Sequence, residues 1–158
     1  MKRWNDAARD ALVSGSAASL MSTTALAACG GAEVGSPFAP TNAVSHWLFG
    51  ERATRANRPS WRHTGVGYAT HHVASVFWAL WYEKLFGERR RDASALAALG
   101  DAAVIAALAY FVDYRLTPRR LMPGYERRLP GRSLFAVYAA FAAGLALGGA
   151  LLRRARTL

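Results

Sequence analysis

One cysteine, Cys29, stands in 158 residues, which excludes an intrachain disulfide and any CxxC-type metal spacing. Acidic side chains are scarce as well: ten Asp and Glu face twenty Lys and Arg, a formal net charge of +10. The chain has no nucleophile elbow, no P-loop and no Rossmann glycine pattern. Gly65-Val66-Gly67 is too short and wrongly placed to cradle phosphate. No enzyme is expected and no cofactor is implied.

The positive charge does not suggest nucleic acid as a partner. Lys and Arg cluster at the ends of apolar segments, where such residues meet anionic headgroups and set topology. A basic folded face with base-reading or stacking groups is missing. The expected partner is the lipid bilayer, with its anionic headgroups contacted through the Arg clusters; association into a homo-oligomer stays open.

Apolar residues are abundant, 53% of the chain, and segregated into blocks. About 20 of them cross the ~30 Å hydrocarbon core of a bilayer. The expected fold class is all-α: one polytopic membrane domain, 1–158, with four transmembrane helices at about 11–30, 66–85, 93–114 and 133–152. The first is the most polar, yet Gly15, Ser19, Thr23 and Ala27 form a small-residue stripe on it. Ala140, Gly144 and Gly148 do the same on the fourth, and such stripes let helices approach closely in lipid.

Between the first two spans, Thr41 or Asn42 caps a short helix running to Gly50. Its Trp47, Leu48 and Phe49 suit the membrane interface. With the N-terminus inside, the basic residues divide ten to ten between the two sides, Arg89-Arg90-Arg91 among the inner set. Lys2 and Arg3 ahead of an apolar segment tip the orientation toward an inside N-terminus. The chain is expected to cross its membrane several times.

Leu26-Ala27-Ala28-Cys29 resembles a lipoprotein box, which makes Cys29 a lipidation candidate. Asp6, Asp10 and six hydroxyl residues argue against a cleaved signal, and an uncleaved first helix is the expectation.

Ionisable groups within apolar spans are costly unless partnered, and they draw attention to themselves. The second span, VGYATHHVASVFWALWYEKL, carries His71 and His72, whose side chains diverge by about 100° on a helix. Those two, with Asp101 in the third span and Glu83, form the candidate intramembrane polar site. A neutral imidazole bonded to a neighbouring helix is the plainer role for either histidine. Asp101 is expected to face the bundle and bond to the hydroxyl-rich first span. Asp113, beside Tyr114 and Arg115, reads as half of an interfacial ion pair, with contact to His71 also open. His46, His63 and His71 are a candidate metal set, although their spacing matches no zinc signature. Tyr110, Phe111, Tyr114, Phe135 and Tyr138 read as headgroup-level anchors.

The run HTGVGYATHHVASVFWALWYEKLFG from His63, after NAVSHWLFG at 42–50, is similar to uncharacterised proteobacterial membrane proteins and, more distantly, to the YagU-like inner-membrane proteins. The resemblance implies an inner-membrane location and a role in envelope or acid stress, and it supplies no catalytic residues. Three functions follow. One is a structural or envelope-stress membrane protein; one is a proton or small-solute pathway through His71 or His72 with Asp101; one is a histidine-based metal or haem module.

Overall fold

The computed structural model describes residues 1–89 and 94–157. Arg90 and Arg91 of the basic run, and the Ala93 start of the third expected span, lie outside the described residues. The chain is helical: α1 Trp4–Val34, α2 Ala39–Val44, α3 His46–Phe49, α4 Val66–Phe86, α5 Ala95–Phe111 and α6 Gly131–Thr157. Wide π turns precede α4 at Trp61–Gly65 and extend α5 through Val112–Leu116. Three helices are long and apolar enough to cross a membrane: Trp4–Val34, Ala95–Leu116 and Gly131–Arg156. By length and composition alone α4 does not join them, because His71, His72, Glu83 and Lys84 dilute it.

Along α1 the interior face is built mainly from small residues, while large apolar ones point outward. Ala7, Ala11, Ala18, Ser14 and Ser19 of α1 are buried, whereas Leu12 and Leu20 on the same helix are exposed. This inverts the usual soluble pattern and matches helix association in lipid, where close backbone approach replaces the hydrophobic effect. Gly144 and Gly148 of α6 show it directly. A Cβ at Gly144 would lie 2.5 Å from Ala18 Cα, and one at Gly148 would lie 2.4 Å from Ser14 Cα. α1 is thus the central helix, pressed between α4 and α6, while α5 leans mainly on α6.

Ion pairs mark the two ends of the bundle. At one end Lys2 binds Asp10 and, at 3.0 Å, Glu83 of α4. Arg156 of α6 binds both Asp10 oxygens at 2.7 and 2.6 Å, and the Lys84 ammonium lies 4.6 Å over the Trp4 ring. α1 starts near Trp4 and not near 11, and the charge of Asp10 within it is neutralised by Lys2 and by Arg156 from the far end of the sequence. Similarly, α6 runs past 152 because Arg156 finds Asp10.

At the opposite end the loops 35–65 and 117–130 close over the bundle. Asn42 holds the first loop, its Nδ2 donating to the Ala56 and Arg58 carbonyls at 3.0 Å each while its Oδ1 accepts from Thr64 at 2.7 Å. Arg127 pairs with Glu51 and Arg128 with Asn57, joining the second loop to the first. Arg132 and Ser133 bind Glu33 at 2.8–3.1 Å. The single helix expected over 41–50 is two short pieces, α2 and α3, and all six residues of α2 are buried. A Cβ at Gly67 would fall 2.0 Å from the Thr41 carbonyl oxygen, so α2 sits jammed against the first turn of α4.

Candidate functional site

Below this lid lies a cavity with room for water centres of about 80 Å³, enough for a few water-sized groups. α1 contributes Ser22, α4 contributes Thr70, His71, Ser75 and Trp78, and α5 with its π turn contributes Asp113. Tyr138 and Phe141 of α6 form the far wall, and Trp47, Pro123 and Tyr125 form the roof. π turns occur disproportionately at functional sites, and this one carries Asp113 on the widened end of α5. Thr117 secures that turn, its backbone N–H and its hydroxyl both donating to the Val112 carbonyl at 2.9 Å.

The roof is fastened at two places. The Trp47 indole N–H donates to the Met122 carbonyl at 2.9 Å. Gly124 takes φ +95°, and its missing Cβ leaves room for the Ala43 carbonyl and the His46 ring, which would come within 2.6 and 2.8 Å. A side chain there would lift Tyr125 off the cavity.

Two hydrogen-bond chains line the interior. Tyr125 OH donates to Tyr138 OH at 3.2 Å, and Tyr138 OH donates to Asp113 Oδ2 at 2.5 Å. Burial first, then the Asp113 charge, pushes the Tyr125 phenol above its usual value, which keeps it protonated as the first donor. In the second chain Ser22 Oγ donates to the Ala18 carbonyl at 2.7 Å and lies 2.8 Å from His71 Nε2. With the serine proton directed to Ala18, Nε2–H is the donor and Nδ1 of His71 keeps its lone pair. His71 and Tyr125 also meet edge to face, with ring centroids 6.4 Å apart.

The structure does not assemble the polar set expected from sequence. His71 joins the cavity, but His72 turns away and lies beside Tyr68 at 5.8 Å between centroids. Glu83 is twelve residues further along α4, about 18 Å by helical rise, in the ionic cluster with Lys2. Asp101 binds Arg89 at 2.6 Å and not the hydroxyls of α1, because it lies at the ionic end of the bundle. Asp113 bonds to Tyr138 and makes no ion pair among the described residues, since it continues the buried face of α5 four residues after Ala109.

The proposed metal set is likewise dispersed. His46 Nδ1 bonds to the Ala43 carbonyl at 2.8 Å, His63 Nδ1 to Ser45 at 3.2 Å, and His71 to Ser22. Among the described residues no group of three His, Cys, Asp or Glu side chains could hold a metal ion. Cys29 is a free, half-buried thiol inside α1, beside the cluster formed by Leu26, Val44, Leu129 and others.

Tyr125, Tyr138, Ser22 and the two tryptophans are site residues that sequence reasoning missed. The aromatic character of the tyrosines and tryptophans is visible in sequence, but it reads equally well as anchoring at the membrane interface, and Ser22 gives no local signal at all. No family model, curated protein or solved structure matches the chain.

Proposed function

We propose that this is an inner-membrane protein of four crossing helices whose roofed cavity holds a small molecule drawn from the bilayer. The carrying observation is continuity between cavity and lipid-facing surface. A groove with room for water centres of about 590 Å³ runs between α4 and α5, and it shares Trp47, Thr70, Ala74, Trp78 and Asp113 with the cavity. A largely apolar cleft with a few converging polar groups is the usual form of a ligand site.

Two features support α4 as the fourth crossing. It lies along α1, with its N-terminal turns under the lid and Glu83 in the ionic cluster at the far end. Val73, Phe77, Trp81 and Leu85, each four residues apart, are all exposed and make an outward apolar stripe suited to acyl chains. In the same reading α3, with Trp47 and Leu48 partly exposed, lies at the interface. The inner-membrane location and the YagU-like resemblance belong to this proposal, and no bond-breaking step is assigned to the cavity.

Binding is favoured over passage because the half of the bundle between the cavity and the ionic end is tightly joined. α1 meets α6 at Gly144 and Gly148, and it meets α4 where a Cβ on Gly15 would lie 2.7 Å from Val76 Cα. A purely structural envelope role accounts for the ionic end but not for the open groove. Ala74 lines both spaces, so Ala74→Phe should plug the site without altering its polar groups. Native mass spectrometry of protein released from lipid nanodiscs should show a retained small molecule on the wild type and not on Ala74→Phe. Identical spectra for the two would contradict the reading.

A further inference from the structure

The hydrogen-bond polarity of the cavity identifies the ligand's head. Nearly every donor on its wall is already committed within the chain. Thr70 donates to the Val66 carbonyl at 2.9 Å, Ser75 to the His71 carbonyl at 2.8 Å, and Ser22 to the Ala18 carbonyl at 2.7 Å. The Trp47 indole, Tyr125 and Tyr138 are occupied as described above. Only the Trp78 indole keeps an uncommitted N–H among the described lining residues.

Acceptors, in contrast, are left over. Asp113 uses Oδ2 for Tyr138, and its Oδ1 has no partner among the described residues. Nδ1 of His71 is in the same position. A wall that offers lone pairs and few protons selects a hydrogen-bond donor, and a wall whose one acid is Asp113 selects a cation. Aromatic residues (Trp47, Trp78, Tyr125, Tyr138 and Phe141) surround the same space, and aromatic faces attract ammonium groups.

Resting on the ligand-pocket reading above, we infer that the site takes a single-chain amphiphile with an ammonium head, its alkyl tail lying in the α4–α5 groove. The tail's surroundings are Val73, Phe77 and Val112, and Asp113 is the sole ionisable residue among the described residues lining that groove. Entry from the lipid side also avoids the outward arginines of the lid, which would repel a cation arriving from water. A phospholipid head fits less well, because its phosphate would be placed against the Asp113 carboxylate.

The test uses radiolabelled dodecylamine, protonated at pH 7, with the full chain in phosphatidylcholine and phosphatidylglycerol nanodiscs, read by scintillation proximity. Saturable binding above empty discs is expected. It should weaken at least tenfold in Asp113→Asn, which retains an acceptor for Tyr138, and disappear in Ala74→Phe. Dodecanoate, dodecanol and added phosphatidylethanolamine should fail to compete. Any of these competing as well as unlabelled dodecylamine, or undiminished binding in Asp113→Asn, would overturn the ammonium assignment. If such competition is itself lost in Ala74→Phe, the pocket stands and only its ligand class falls. Absence of saturable dodecylamine binding also overturns the assignment, and the retained-molecule measurement then decides on the pocket separately.

Discussion

Lys2, Asp10 and Glu83 show how a few buried charges shape the whole N-terminal end of the bundle. The Lys2 side chain is 7% exposed, that of Asp10 3% and that of Glu83 1%. Their desolvation is offset only while every partner is present, and removing one member of a buried pair generally costs about 3–5 kcal/mol. Lys2→Met should therefore destabilise the protein by a few kcal/mol, roughly that range, read as a lowered thermal midpoint in detergent. Adding Glu83→Gln to Lys2→Met should recover part of the loss, because it removes a charge that the first change left without its lysine. A double variant less stable than the wild type by the full sum of the two single effects would show that Lys2 and Glu83 do not act together. The same logic explains why Asp10, an awkward residue in any apolar-segment reading, belongs inside α1: Arg156 reaches it from 146 residues away.

Among the elements, the contact between α1 and α6 is the most exacting. Gly148 faces Ser14 Cα with no room for a Cβ, and overpacking of a close helix interface forces the backbones apart. Gly148→Val should broaden or shift the protein's size-exclusion profile in detergent and lower its thermal midpoint, while Gly131→Val, at an open position, should not. Equal behaviour of the two variants would contradict this packing. The small-residue stripes were legible in sequence because four-residue spacing on a helix is a local signal, read without knowledge of any partner. Helical character and three long apolar segments were legible for the same reason. The Asp113–Tyr138–Tyr125 chain was not, since it joins three separate elements whose register no periodicity records. Asp113 itself continues the buried face of α5, four residues after Ala109, but its neighbours Tyr114 and Arg115 favour an interfacial reading in sequence. The division of α2 from α3, and the burial of α2, depend on Asn42 and on Gly67 of another helix.

At the scale of the whole molecule, one end is ionic and closed, and the other is lidded and hollow. Contacts place residues 1–10, 83–89 and 156 at the first end and both long loops at the second. This arrangement becomes a membrane topology only if α4 crosses alongside α1, α5 and α6, and the proposed access from lipid to the cavity depends on it. Impermeant maleimide labelling of single cysteines at positions 58, 119 and 155, in a Cys29→Ser background in intact spheroplasts, tests that most directly. The account predicts that Arg58→Cys and Arg119→Cys label together from one side, with Ala155→Cys accessible only from the other. Labelling of 58 and 119 from opposite sides would mean that α4 does not cross, and would contradict it.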